Sequence, residues 1–393
     1  MDTLEQFYKY EYYFSILCNV IGFNILDKGW KKTYRTYISF FLCGQYFLWM
    51  VWSIIIASDT FELLKSLSFL GFFFQCSLKM YYTSAKATQY GISFDGLKQT
   101  IYIGHTNGTV EQKSVIERIF LVVQLITKVT TVLYTSSLFI FSLYPLYMYF
   151  MVGVKVTIFP LYIPGIDIYS AYGYGITNSL HMLIAVYGCI GAIASDIAFM
   201  MFILHFITYG ELFRIECEQF QQDLSDATER WERHTPEYKT FCRQRMREIY
   251  QYHQNVILFL ESLQECYQSI SVVQVGSCSF SIMFNLFLAL TTDWYATYSF
   301  MFISWFQLFI FSLFGTIMQV MNDRMLRYIW NLPWYMLPSE EQRRFHFMLA
   351  RSQLPAEMVI RSVGPLNMET FTDIMQKIYS AFTMMYSFLV DLS

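Results

Sequence analysis

The chain has 393 residues, of which 55% are apolar, 20% aromatic and only 15% charged, with a net charge of -3 and a mean hydropathy of +0.35. That balance excludes a soluble globular domain, no basic run suggests nucleic acid, and the class is an integral membrane protein. The eight cysteines form no CxxC pair and share no metal-ligand spacing with the six histidines, so they read as small hydrophobes and no metal or other cofactor is expected.

Residues 1–36 mix aromatic and charged side chains without the n-region, short apolar core and cleavage site of a signal peptide, and no cleavable signal is expected. Seven stretches then approach the ~20 apolar residues that a hydrocarbon core requires. They are Tyr37 to Ser58, Leu63 to Tyr82, Phe120 to Tyr144, Leu180 to Phe206, Ile270 to Leu290, Tyr298 to Val320 and Phe371 to Val390. Short turns at Asp59-Thr60 and around Asp293 join the first span to the second and the fifth to the sixth.

The long connections carry the positive charge. Lys98, Lys113 and Arg118 stand in one, Arg214, Arg230, Arg233, Lys239, Arg243, Arg245 and Arg247 in the next, and Arg324, Arg327, Arg343, Arg344, Arg351 and Arg361 in the last. The N-terminal segment adds Lys28, Lys31, Lys32 and Arg35, while residues 146–175 on the other side hold only Lys155. The positive-inside rule therefore predicts a cytoplasmic N-terminus and, after seven crossings, an extracellular Ser393. This orientation is opposite to that of a G-protein-coupled receptor, whose Asp-Arg-Tyr and Asn-Pro-x-x-Tyr boxes are also missing. The only glycosylation sequon, Asn107-Gly108-Thr109, falls on the cytoplasmic side, so mass spectrometry of the cellular protein should find Asn107 bare; glycan there would reverse the orientation.

The expected architecture is all-α: a bundle of spans over 37–320, a cytoplasmic anchor region over 321–366, and a last span with an extracellular C-terminus over 367–393. Residues 209–269 read as helical extensions of spans four and five. In them Glu211, Glu216 and Glu218 either pair with Arg243, Arg245 and Arg247 across antiparallel helices or form two solvated faces. Beyond Pro338, Ser339-Glu340-Glu341-Gln342 is a capping-box pattern that predicts a short helix over 339–353, ended before Pro355. Its apolar face, Phe345, Met348 and Leu349, either packs on its own chain or joins subunits.

Within the spans, Lys128 and Asp196 lie at similar depth and either form an ion pair or each meet water at the inner vestibule. In the last span Gln376, Ser380, Thr383 and Ser387 recur every three or four residues, which makes one face polar from end to end. Such a stripe either packs against other helices or lines a water-filled pathway.

Gly315, Tyr328, Trp334-Tyr335, Arg343-Arg344, Arg351-Ser352-Gln353-Leu354-Pro355, Leu366, Phe371 and Tyr379-Ser380-x-Phe382 stand in the order and spacing of the insect odorant receptors, which this chain resembles. Thr316 replaces the common Asn after the glycine, and the last span ends slightly late, in Val390-Asp391-Leu392-Ser393. The gustatory-receptor signature is absent.

The resemblance implies an odorant-tuning subunit of a heterotetrameric, ligand-gated, non-selective cation channel. Its partners would be a co-receptor, a small volatile organic ligand and membrane lipid, in the plasma membrane of an olfactory neuron dendrite. The co-receptor's longer second cytoplasmic loop is missing here. The 339–353 helix would belong to the anchor, and the last span would line the pore with Gln376, Ser380, Thr383 and Ser387 wet and Met384 and Phe388 as the gate. Glu369, Asp373 and Asp391 would favour cations.

The resemblance also implies an apolar ligand pocket in the outer half of spans two, three, four and six. At that depth helical spacing selects Phe69, Phe72 and Phe73; Tyr134, Ser137 and Leu138; His181, Ile184 and Tyr187; and Met301, Ser304 and Trp305. Tyr134, Tyr187, Ser137 and His181 would supply hydrogen bonds. Alternatives are a gustatory-type or homomeric channel, or an inverted seven-helix receptor without a pore. An enzyme lacks any catalytic constellation or phosphate loop, and a transporter would show internal repeats.

Overall fold

The computed structural model describes residues 3–233, 235–354, 357–360 and 364–392, the side chains of 388–392 excepted. The helices are α1 Thr3–Ile21, α2 Tyr34–Ile56, α3 Thr60–Ser68, α4 Leu70–Ala85, α5 Ala87–Leu97, α6 Val110–Tyr147, α7 Ala171–Arg230, α8 Pro236–Thr291, α9 Ala296–Trp330, α10 Ser339–Ser352 and α11 Met368–Leu392. A two-residue ladder, β1 Val359–Ile360 antiparallel to β2 Gly364–Pro365, precedes α11. Among the described residues, six segments are long and apolar enough to cross a bilayer: α2, α3 with α4, α6, α7, α8 and α9. Helix α11, with 25 residues, has the length of a seventh.

The central mast is α7. Every residue from Asp196 to Phe206 is buried, so the helix is covered on all faces there, as expected of one surrounded by others. Its 60 residues and the 56 of α8 extend roughly 85–90 Å at 1.5 Å per residue, far beyond a hydrocarbon core of about 30 Å. Both helices are therefore long enough to run past a hydrocarbon core, α7 to Arg230 and α8 from Pro236.

The register in which α8 returns along α7 decides the charge pairing. It brings Arg245 level with Asp223, 2.7 Å away, and out of register with the expected glutamates. Glu211 and Glu218 bind Arg214 on their own helix, Glu216 accepts from Gln112, and Arg243 reaches Glu340 and Glu341 of α10.

Capping also departs from expectation. The Ser339/Gln342 box does not form: extended Pro338 is the cap residue, its carbonyl takes the amides of Glu341 and Gln342, and the Gln342 side chain donates to Leu337 O at 2.9 Å. A box does form at α6, where the Gln112 amide donates to Thr109 Oγ1 and the Thr109 amide to Gln112 Oε1 at 2.9 Å. Helix α6 consequently starts well before Phe120.

Helix α10 runs Ser339–Ser352, with Gln353 as its C-cap, and buries Phe345 and Met348 against α8 and α9 of its own chain. Ser352 Oγ donates to Met348 O and so accepts from His253 Nε2 of α8, each at 2.8 Å, fixing the helix end. Phe347 faces outward and is 64% exposed.

Two features had no counterpart in the hydropathy. Helix α1 folds from the mixed N-terminal segment and buries Phe7, Phe14 and Cys18, with Phe7 stacked on Tyr102 at 3.8 Å. The segment between α6 and α7 folds back as a lid: the Tyr162 amide donates to Ser53 Oγ and the Ile158 amide to Asn178 Oδ1. Phe159 thereby wedges between Tyr46, Phe69, Phe141 and His181. Opposite Phe159 the second span breaks at Phe69, where α3 ends and α4 begins.

Candidate ligand cavity

A cavity of about 280 Å³ with mostly apolar walls lies between α2, α4, α6, α7 and α9, and reaches from the lid to Cys18 and Ile21 of α1, Tyr90 of α5 and Tyr267 and Ile270 of α8. Phe69, Phe72, Phe73, Tyr134, Ser137, Leu138, Ile184 and Tyr187 line it; His181, Met301, Ser304 and Trp305 do not. On α9 the lining residues are Ser299, Phe300, Ile303 and Gln307, so the helix is rotated from the expected phase. Trp305 turns away, stacked on Phe309 and in edge contact with Phe371 of α11, and Ser304 is buried. A helix apolar on several faces gives spacing but not phase. His181 sits under the lid, against the rings of Trp49 and Phe159, and its Nδ1 accepts from the Phe159 amide.

Helix α2 adds Ser39, Leu42, Cys43 and Tyr46, and the lid adds Phe159. Neither contribution was expected, because hydropathy alone gives no indication of how a loop folds back.

The polar part of the wall is one connected cluster. Asp196 pairs with Lys79 of α4 at 2.8 Å, both side chains buried, and not with Lys128, which is exposed on α6. The α7-facing stripe of α6 runs through Val123, Thr130 and Tyr134, which turns Lys128 outward. Asp196 Oδ2 also accepts from Tyr134 Oη and, at 3.1 Å, from Gln307 Nε2. Gln307 Oε1 then accepts from Gln75 at 2.8 Å and Gln274 at 3.1 Å. Helices α4, α6, α7, α8 and α9 are thus tied together at mid-depth by bonds anchored on one carboxylate. Lys79 also lies 5.3 Å from the Phe311 ring centroid.

Helix α11 is covered on one stripe only. Ile374, Ile378 and Phe382 are buried, whereas Gln376, Ser380, Thr383, Met384 and Ser387 are exposed. The Ser380, Thr383 and Ser387 hydroxyls donate to their own helix carbonyls, which leaves oxygen lone pairs outward. The Gln376 side chain makes no hydrogen bond among the described residues. The side chains of Phe388 and Asp391 lie outside the described residues.

The approach to α11 is held by α9. The Met368 amide donates to Thr316 Oγ1 at 2.9 Å, and the Asn367 side chain caps the helix by accepting from the Thr370 amide at 2.8 Å.

Residues 59–379 match the family model of the 7tm odorant receptors. Putative odorant receptor 83c of Drosophila melanogaster is 23% identical across 98% of this chain and 99% of its own length. Odorant receptor 10 of Aedes albopictus is 23% identical across 62% of this chain and 63% of its own. The solved structure of the insect olfactory receptor OR5 from Machilis hrabei in complex with eugenol has a TM-score of 0.80 at 11% identity, covering 98% of this chain and 100% of that one. A second structure of that receptor gives 0.78 at 12% identity, with 98% and 99% covered. The chain therefore belongs to the 7tm odorant receptor family of insects: it is an all-α, multi-pass membrane receptor and not an enzyme.

Proposed function

We propose that this chain is the odorant-tuning subunit of a ligand-gated, non-selective cation channel, assembled with a co-receptor into a heterotetramer in the plasma membrane of an olfactory neuron dendrite. The observation that carries the reading is α11: a bilayer-length helix whose polar face, Gln376, Ser380, Thr383 and Ser387, is left uncovered by its own chain. Such a face is costly against lipid and useful against water. Four such helices around an axis make a wet pore, with Met384 and Phe388 as the ring that closes it by dewetting. The N-terminus is then cytoplasmic, the 321–366 region is the anchor, and its outward residues, such as Phe347, meet the neighbouring subunit.

The ligand occupies the cavity under the lid. Its apolar walls recognise a small volatile organic molecule through buried area, at about 25 cal/mol per Å². That a structural neighbour was solved with eugenol supports a ligand of that size.

Recording currents from cells that express the chain with and without a co-receptor, across an odorant panel, tests the reading. Ligand-evoked cation current only when both are present is expected. Current from the chain alone would favour a homomeric channel, and no current from surface-expressed protein would contradict channel function.

A further inference from the structure

The charge on Asp196 fixes the direction of every hydrogen bond in the cluster on the cavity wall. A carboxylate only accepts, so Gln307 presents its amide nitrogen to Asp196 and its oxygen away from it. Gln75 and Gln274 must then present nitrogen to Gln307 Oε1. The remaining atom of the Gln75 amide, Oε1, receives no hydrogen bond among the described residues, and Gln75 lines the cavity. One helical turn along α4, Lys79 also lines the cavity, and among the described residues Asp196 is the sole acceptor of its ammonium. An acceptor and a spare donor therefore stand on the same helix face, with Cβ atoms about 6 Å apart. Elsewhere the wall is mostly apolar: the Tyr134 hydroxyl and the Gln307 amide nitrogen that also line it are committed to Asp196, and the other polar groups are scattered hydroxyls such as those of Ser137 and Tyr187.

Resting on the reading of this chain as an odorant-gated receptor, we propose that Gln75 and Lys79 form a head-group subsite and that the cognate ligand is a neutral alcohol: an apolar skeleton ending in one hydroxyl. The hydroxyl donates to Gln75 Oε1 and accepts from Lys79 Nζ, satisfying both groups with one ligand atom. A carboxylate or ammonium ligand would bring a net charge beside the already neutralised Lys79–Asp196 pair and lose its hydration in a dry cavity without a countercharge of its own. A ketone or ether can accept from Lys79 but leaves Gln75 Oε1 unpaired on desolvation, and a hydrocarbon leaves Gln75 Oε1 unpaired and the spare Lys79 N–H groups unused.

The test uses the full chain expressed with a co-receptor and a matched ligand series: a primary alcohol, its methyl ether and the parent hydrocarbon. The alcohol's half-maximal concentration should be at least about tenfold below that of the ether, the effect of one hydrogen bond made against one left unmade. Gln75→Met, which keeps length and volume, should raise the alcohol's value about tenfold and move the ether's by no more than about twofold. Equal potency of alcohol and ether on the unmodified chain, or equal loss of both in Gln75→Met, overturns the head-group assignment alone. If Gln75→Met fails to reach the cell surface, the ligand series on the unmodified chain decides. Silence toward every member from surface-labelled protein overturns the receptor reading and this assignment together.

Discussion

Asp196→Asn is expected to destabilise the folded chain by about 3–5 kcal/mol, because it leaves the Lys79 ammonium buried at mid-depth without its anion. The side chain keeps its shape, so packing is not the cause. Asparagine offers one acceptor oxygen in place of two, so part of the loss lies in the bonds from Tyr134 and Gln307 as well as in the charge. Adding Lys79→Met should recover most of the stability, since a buried pair replaced on both sides by neutral groups of similar volume is often close to neutral. Lys128→Ala, in contrast, should stay within about 0.5 kcal/mol, as that side chain is exposed. Thermal unfolding of the purified full chain in detergent compares the unmodified chain with Asp196→Asn, Lys79→Met, the double variant and Lys128→Ala. Additive losses in the double variant would mean that Lys79 and Asp196 do not pair.

Gly315→Ala is expected to be the most damaging single methyl group in the chain's C-terminal third. A Cβ there would fall 1.9 Å from Leu366 O and 2.9 Å from Leu366 C, both backbone atoms that cannot rotate away. The helix gain from replacing glycine, up to about 1 kcal/mol, is small against the overpacking, which costs roughly 1–3 kcal/mol or pushes the strand-loop before α11 off α9. That displacement would break the Met368 amide bond to Thr316 and the approach angle of α11. Ligand-evoked current should fall at least tenfold even in protein that reaches the surface. Gly276→Ala is the control, because a Cβ at that helical glycine meets nothing within 4 Å. If the two variants behave alike, the close approach of Leu366 does not set the position of α11.

Some of this was legible in the residues and some was not, for identifiable reasons. The existence and length of the spans follow from long apolar runs, and α10 from its proline boundaries and apolar period. Depth along a helix follows from counting residues, but azimuth does not. Lys128 and Asp196 matched in depth, yet Lys128 turns outward, while Lys79, overlooked among Phe72 to Tyr82, points inward. The same ambiguity selected Met301, Ser304 and Trp305 on α9 where Phe300, Ile303 and Gln307 face the cavity.

Local patterns were decided by their neighbours. Ser-x-x-Gln at 339–342 and Thr-x-x-Gln at 109–112 look alike, but Pro338 holds the extended cap conformation itself and displaces Ser339 into the helix. The lid's Phe159 and the α1 face of Phe7, Phe14 and Cys18 depend on tertiary contacts, which no local period records.

The central claim is that the uncovered polar face of α11 lines a water-filled, ligand-gated pore. Cysteine accessibility along α11 in the chain co-expressed with a co-receptor tests it most directly, with the native cysteines as the baseline. Ser380→Cys and Thr383→Cys should be modified by a membrane-impermeant thiol reagent during ligand application, with block of the evoked current. Ile378→Cys, on the buried stripe, should be unaffected. Modification of Ile378→Cys with Ser380→Cys and Thr383→Cys unreactive would contradict the account.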